Sequence, residues 1–471
     1  VPLPIVSNIR ELSSAPRRFL LFTVFNVVSW HSLVGPSMVL FARKIDMPAS
    51  WVGVLLACMP LSMILVMGTV PLVMRFGPKR LMVSTWFFRN IVTAAVFLLP
   101  WAIQAGGQQS GWYLLMATTL SFCIVRALGV GAWFPWLHEF VPEEQRGAYF
   151  SAETALAQIV MVGVNLFHAL LLQGDPSMNR FFVIYGVGIA AGVISVALMA
   201  RVPGGARPDP HDMDAREELT YRAVFADRQF MRFVIMVSLG YASMAWLGAS
   251  SVLYMRDMIG LSANVIMAVM TTASLGVFLT IRFWARFADY SGPRSAVALS
   301  LVGHGVIATF FLGLWPGAVW TPWLVFPAVV MASILSAAFS AISHRAMLDY
   351  VPDHGRMAYT NVWILGTSMA LGLSPVLAGF AIQTGGYRGF ELCFLIAGVG
   401  GILFGLAERL LVARVAERPQ PMIELFSPGQ PVRALARIVW ITAGLHRSNR
   451  PSRVKPRPGT PETGPAATHP D

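Results

Sequence analysis

The sequence predicts an all-α polytopic membrane protein, with twelve transmembrane helices arranged as two pseudo-symmetric six-helix halves. Three observations carry that expectation. Of the 471 residues, 56% are hydrophobic and only 12% are charged, where soluble domains carry roughly 25% charged residues. Apolar stretches of roughly 18 residues or more recur along the chain, each long enough to cross a hydrocarbon core of about 30 Å as a helix. The second half of the chain also repeats landmarks of the first at an offset near 211 residues.

In order, the stretches run approximately from Phe19 to Phe41, Trp51 to Val73, Leu81 to Ala102, Trp112 to Trp136, Ala155 to Leu172 and Phe181 to Ala200. The second six run approximately from Phe230 to Met255, Val265 to Ala285, Ser295 to Leu314, Trp323 to Ser343, Val362 to Ile382 and Cys393 to Leu411. They are continuously apolar, whereas the strands of a transmembrane barrel alternate over segments of about ten residues. No signal-peptide cleavage pattern precedes the first stretch. The expected organisation is an N-terminal half over 1–200, a linker over 201–229 rich in Pro, Gly and charge, a C-terminal half over 230–411 and a basic tail over 412–471. Within the tail, Ser427 to Leu445 reads as an interfacial helix turning Val432, Leu435, Val439 and Trp440 towards lipid, and Arg450 to Asp471 as a Pro-rich disordered end.

Lys and Arg set the orientation. With a cytosolic N-terminus, the inner loops hold 16 basic residues even without the tail, against 5 outside, so both termini are expected inside. The net charge of +12 is then a topological signal plus a tail suited to anionic lipid, and calls for no nucleic acid. Cys58, Cys123 and Cys393 all fall within apolar stretches, are odd in number and lack metal-ligand spacing, so they read as small buried thiols.

The internal repeat has four anchors. Arg17-Arg18-Phe19 precedes the first stretch and Arg228-Gln229-Phe230 the seventh, at an offset of 211. Val39-Leu40-Phe41-Ala42-Arg43 matches Val252-Leu253-Tyr254-Met255-Arg256 at 213, and Gly77-Pro78-Lys79 matches Gly292-Pro293-Arg294 at 215. Val141-Pro142-Glu143, followed by Arg146 and Ala148-Tyr149, matches Val351-Pro352-Asp353, followed by Arg356 and Ala358-Tyr359, at 210. Short turns converge on Gly, Pro and Arg by themselves, but convergence does not fix a common spacing. Two parallel six-helix copies imply a pseudo-two-fold axis along the membrane normal with a cavity between the halves.

On these residues the chain resembles the major facilitator superfamily of secondary transporters, over roughly residues 17 to 411. The loop Arg286-Phe287-Ala288-Asp289-Tyr290-Ser291-Gly292-Pro293-Arg294 is similar to the family's acidic, then glycine, then basic cytosolic loop. The first-half copy, Val73-Met74-Arg75-Phe76-Gly77-Pro78-Lys79-Arg80, has Met74 where the acid belongs. The resemblance implies alternating access, with Gly77, Arg80, Asp289, Gly292 and Arg294 in gating loops and Asp289 facing the start of the fifth helix near Ser151. Arg126-Ala127-Leu128-Gly129-Val130-Gly131 resembles the arginine-and-glycine motif of proton-coupled members, with its glycines one position early and its glutamine missing.

Every carboxylate falls in a loop, a tail or the outermost turn of a stretch, with Glu153, Glu391 and Glu408 closest to hydrocarbon. That leaves His31, His168 and His304 as the intramembrane groups that change charge near neutral pH. Arg89 and Arg126 lie deep without a deep carboxylate, and Arg89 falls on a helix that the resemblance puts at the outside of the bundle. At 100° per residue Thr119, Cys123, Arg126, Val130 and Trp133 share one side of their helix. The repeat maps this face onto Ser333, Ser336, Ser340 and Ser343, a polar stripe that could equally serve helix packing. Asn26, Trp30 and Ser37 share a face of the first helix, with His31 about 100° away; they map onto Leu239, Ser243 and Ser250, with Trp246 alongside. The expected substrate-binding set is Asn26, Trp30, His31, Thr119, Arg126, Ser243, Trp246, Ser333, Ser336 and Ser340.

No phosphate-cradling loop, zinc-protease helix or nucleophile elbow is present, so neither an enzyme nor a resident cofactor or metal is expected. The reading is a multi-pass transporter of the bacterial inner membrane moving a small organic solute, with a preference for anionic or polar compounds. Its expected partners are that solute, membrane lipid and, as an open question, protons; a monomer is expected. The alternatives are a proton-coupled multidrug exporter and a non-transporting membrane scaffold on the same fold.

Overall fold

The computed structural model describes residues 12–142, 145–207, 221–351 and 356–411. The tail expectations over Ser427–Leu445 and Arg450–Asp471 lie outside them. Val1–Arg418 packs as one unit, and among its described residues every regular element is a helix.

The first half contains α1 (Ser14–Val34), α2 (Pro36–Lys44), α3 (Ala49–Ser62), α4 (Val70–Phe76), α5 (Pro78–Thr93), α6 (Leu99–Val130), α7 (Trp133–Phe140), α8 (Arg146–Leu171) and α9 (Met178–Ala200). A short α10 (Tyr221–Ala226) leads into the second half: α11 (Arg228–Leu253), α12 (Ala263–Ser291), α13 (Pro293–Phe310), α14 (Thr321–Tyr350), α15 (Arg356–Gly385) and α16 (Tyr387–Leu411). Single turns of tighter or wider helix extend several of them, including Met63–Gly68 after α3 and Tyr254–Met258 after α11. Local chemistry sets the ends. Asp227 caps α11 by accepting from the amides of Gln229 and Phe230 at 3.1 and 3.0 Å, which satisfies two of the donors a helix start leaves open.

Among the described residues eleven helical stretches are long and apolar enough to cross a membrane, and one of them, Pro78–Val130, runs for 53 residues. At 1.5 Å per residue it would be about 80 Å long if straight, more than twice the hydrocarbon thickness. It is not straight: Gly107 breaks it with φ 75° and ψ −176°, a conformation a residue with a Cβ resists. The one stretch therefore supplies the third and fourth of the twelve predicted crossings. The fourth is shorter than the sequence suggests, since α6 stops at Val130 and Trp133 to Trp136 belong to the separate α7.

The repeat is visible in the packing. The halves meet where α3 lies against α15 and where α8 lies against α12. Under the offset, α3 corresponds to α12 and α15 to α8, so the two contacts are copies of each other, as a two-fold axis between the halves requires. The apolar core is not symmetric from end to end. One continuous cluster, running from Leu33 and Phe41 through Phe122 and Tyr254 to Phe394, joins both halves at the end away from the linker. At the linker end there are two separate clusters, one around Phe19, Trp86 and Trp136 and one around Phe233, Phe339 and Trp363. Among the described residues, buried apolar packing therefore joins the halves at one end and stays within each half at the other.

Candidate functional site

Arg126, on α6, is half-buried, and its Nη1 reaches the sulfur of Met63 at 3.5 Å. Met63 opens the turn Met63–Gly68, which packs on α15 of the other half, so this guanidinium lies beside the seam between the halves. Arg89, on α5, is 0% exposed. It donates from Nη2 to Asn26 Oδ1 at 2.7 Å, an oxygen that also accepts from Trp86 Nε1 at 2.9 Å. Its guanidinium sits 4.4 Å from the Trp86 ring centroid and 5.2 Å from that of Phe122. Those contacts offset part of the roughly 2.5 to 3.5 kcal/mol or more that a guanidinium costs at mid-membrane. Among the described residues neither arginine has an ion-pair partner; the two ion pairs are Arg43–Asp257 and Lys44–Asp175. Gly129 and Gly131 have a packing explanation: a Cβ at either would run into the α5 side chains Thr85 and Trp86 or into Thr69.

A second polar group crosses the seam. His31 Nε2 lies 2.7 Å from Asn165 Oδ1, and the Asn165 amide donates to Ser274 Oγ at 3.0 Å. The chain of bonds runs from α1 through α8 to α12. Because the amide oxygen can only accept, His31 carries its proton on Nε2. His168 Nε2 lies 3.2 Å from Ser32 Oγ, and the two imidazoles are parallel with centroids 6.5 Å apart. Both Nδ1 atoms are buried and without a partner. Sequence reasoning misses Asn165 and Ser274, although a lone Asn three residues before His168 in an apolar run is a usable signal.

The remaining expected site residues scatter. Trp30 meets His31 edge-on at 5.3 Å, and both Trp30 and Trp246 are half-buried against the shared core. Thr119 is buried with its hydroxyl 3.9 Å from the Met38 sulfur. Asn26 is turned to α5 by its two bonds. Ser243 is turned to α16, donating to the Ala397 carbonyl at 2.8 Å. Ser333 donates back to Val329 O at 2.9 Å within its own helix, and Ser336 is half-buried. Ser340 accepts from the Tyr241 hydroxyl at 3.1 Å, and Ser343 lies 3.2 Å from the same oxygen, so Tyr241 draws the inner serines into a cluster between α11 and α14. Glu153, expected at the edge of its helix, meets Thr23 of α1, whose hydroxyl donates to its Oε1 at 3.3 Å, and Glu408 is buried.

The gating loops share one backbone and differ in what holds them. Gly77 has φ 80° and ψ 149°, and Gly292 φ 82° and ψ 146°. Around Gly77 the start of the linker is strapped down. Lys79 donates to Val202 O at 2.7 Å, Trp136 Nε1 to Pro203 O at 3.0 Å, the Gly205 amide to Glu139 Oε2 at 2.6 Å and Arg207 Nε to Met74 O at 3.1 Å. Arg80 is exposed. Around Gly292, Arg294 Nε donates to Glu408 O at 3.4 Å. Asp289 falls within α12, and its side chain, like that of Ser151, lies outside the described residues. At the closed end Arg43 and Asp257 form a two-pronged pair across the seam, Nε to Oδ1 and Nη2 to Oδ2 both at 3.1 Å.

The family model of the Major Facilitator Superfamily matches residues 235–449. Among curated protein sequences none matches the chain. Among solved structures, the chain is similar to the nucleoside transporter NupG at a TM-score of 0.62 and 12% identity, covering 85% of this chain and 100% of that one. It is similar to a peptide transporter POT in complex with sulfate at 0.64 and 10% identity, covering 85% and 94%. It is similar to a D-xylose-proton symporter at 0.60 and 14% identity, covering 86% and 98%. The chain is an all-α polytopic membrane protein with the major facilitator superfamily fold, and its second half carries the match to that family's own sequence model.

Proposed function

We propose that the protein is a secondary transporter of the bacterial inner membrane that moves a small organic anion or polar solute by alternating access. The observation that carries the substrate class is Arg126: a deep, half-buried guanidinium beside the seam, with a thioether as its described acceptor. A cation at that depth is costly unless paired or wetted, and an anionic group entering at the seam would pair it. With both termini cytosolic, as the excess of basic residues on that side supports, the end without a shared apolar cluster faces inward and the shared core seals the outside. The Arg43–Asp257 pair and the Asn165–Ser274 bond belong to this state and must break when the halves rock. His31, bonded into the seam through Asn165, is the group through which proton coupling would act.

The test is counterflow in proteoliposomes with a panel of organic anions, neutral solutes and lipophilic drugs. Arg126→Gln should abolish uptake and ligand-induced stabilisation of anions while leaving the yield of folded protein nearly intact, and His31→Gln should remove what pH dependence the wild type shows. Uptake confined to lipophilic cations would favour a multidrug exporter instead. Binding without counterflow would favour a non-transporting scaffold.

A further inference from the structure

We infer that Arg89 and Arg126 form one paired cationic site that selects ligands carrying two negative charges over ligands carrying one; this rests on the reading of Arg126 as an anion site. A guanidinium is always protonated in proteins and offers five N–H donors. Arg89 uses Nη2 on Asn26, while Nε and Nη1 are buried with no partner. A guanidinium that served only to hold helices together would direct these donors to carbonyls. Here the nearby carbonyls of Trp86 and Arg89 already accept from the side chains of Asn90 and Thr93, at 2.8 and 2.7 Å.

What surrounds Arg89 instead is aromatic. The guanidinium lies 4.4 Å from the Trp86 centroid and 5.2 Å from that of Phe122, which supports the charge without using its N–H donors. Phe122 stands one turn from Arg126 on α6, and positions four apart share a helix face. The Phe122 ring that Arg89 approaches at 5.2 Å therefore lies on the same side of α6 as Arg126, which brings the two cations to one region of the half. The protein thus keeps two like charges together in a medium that shields them poorly, with no described carboxylate to relieve either. A dianion held at Arg126 interacts with both cations and a monoanion benefits less from the second, so Arg89 sets valence while Arg126 makes the contact. Arg89 is a positioning residue in this scheme. It does not touch solvent in this state and acts on the ligand through the field it adds at Arg126.

The experiment measures affinities of the purified full chain at pH 8 for sulfate against nitrate, and for succinate against butyrate. The wild type should prefer the dianion by about tenfold, the scale of one extra charge interaction in a partly shielded site. Arg89→Gln should bring that ratio close to one. Because that variant could fail to fold, Asn26→Asp supplies the second arm: an isosteric carboxylate against Arg89 keeps both hydrogen bonds at that oxygen and neutralises the cation in place, and it too should level the ratio. An unchanged ratio in Asn26→Asp and in folded Arg89→Gln, with all anion binding lost in Arg126→Gln, would make Arg89 purely structural and leave the anion reading standing. If no anion binds the wild type, both readings fall together.

Discussion

The loops at Gly77 and Gly292 differ by 2° in φ and 3° in ψ, yet among the described residues the hydrogen bonds that hold them are different. The first is clamped by the linker, which places backbone carbonyls over Lys79 and Trp136 and an amide on Glu139. The second is tied by Arg294 to the carbonyl of Glu408 on α16. Duplication has preserved a backbone conformation that only glycine adopts cheaply, while the side chains that anchor it have diverged. Met74 illustrates the divergence. It stands where the family's loop carries an acid, and its carbonyl rather than a carboxylate receives Arg207.

Substitutions at the glycines of the two loops and the strap give the sharpest contrast. Gly205→Val should be the most damaging of all, because a Cβ there would run into Lys79 and Trp136 at a residue with φ 72°; a loss of about 3 kcal/mol, read as a lower melting temperature of the purified protein, is expected. Gly77→Ala and Gly292→Ala both force a non-glycine residue to positive φ, at about 1 kcal/mol or more each. At Gly77 the Cβ would also lie 3.0 Å from the Arg207 amide and 3.2 Å from Gly205 O, so the strap must shift as well and adds to the cost there. A loss at Gly77 no larger than that of positive φ alone would mean that the strap is loose.

Removing the strap's polar contacts should have a smaller effect. Glu139→Gln and Arg207→Ala should each lower stability by about 1 kcal/mol, and the two together should leave Arg294→Ala no worse than in the wild type, since the two loops are held independently. A loss in the triple variant well beyond the sum would show that the loops are coupled.

The closed end offers a third contrast. Under the repeat offset of 213, Arg43-Lys44 corresponds to Arg256-Asp257, and it is the switch from Lys to Asp at the second position that allows the halves to pair. Asp257→Asn should loosen that end by about 0.5 to 1 kcal/mol, the range for a partly exposed pair. Spin labels on α2 and α12 should report a broader distance distribution there, and unchanged distances would remove the pair from the seal. Lys44 bonds within its own half, to Asp175 at 2.9 Å, and that hydrogen bond together with the Lys44 charge holds the Asp175 carboxyl below the usual carboxylate range. A carboxyl depressed on folding contributes above its unfolded value near 3.9 and loses the contribution as pH falls through the folded value. Lys44→Ala should therefore lower the melting temperature by the same small amount at pH 6 and at pH 8, with the difference from the wild type fading as pH falls below the carboxylate range; since Asp175 is fully exposed, this effect should be the smallest of the series.

The fold was legible because it rests on repetition and length. Gly77 and Gly292 declared themselves by spacing, and the twelve apolar stretches reappear even where Pro78–Val130 runs through as one helix broken at Gly107. The site was legible only in part. A helical wheel orders residues relative to each other and leaves the absolute rotation of the helix open. Asn26 and Ser243 therefore had a shared face in the sequence, but whether it met the seam or a neighbouring helix was decided by packing; Asn26 turned to Arg89 and Ser243 to Ala397. The Asn165–Ser274 bond joins residues 109 apart through two short side chains that no periodicity distinguishes. The strap was invisible for another reason: Val202 and Pro203 accept through main-chain carbonyls, which every residue possesses.

The strap also changes what kind of tether connects the halves. By sequence the connection runs from Arg201 to Arg228, 27 peptide steps that could reach about 90 to 97 Å when taut. Its near end is fastened as far as Arg207. Its far end is moored at Tyr221, whose hydroxyl accepts from Asn361 at 3.2 Å, and at Val224, which is 1% exposed. The two described moorings, Arg207 and Tyr221, are 14 peptide steps apart, so they can stand at most about 46 to 50 Å from each other. Shortening the slack keeps each half at a high local concentration of the other. A protease cut between Arg207 and Tyr221 would leave each mooring with its own half, and among the described contacts those of the seam would then hold the two together.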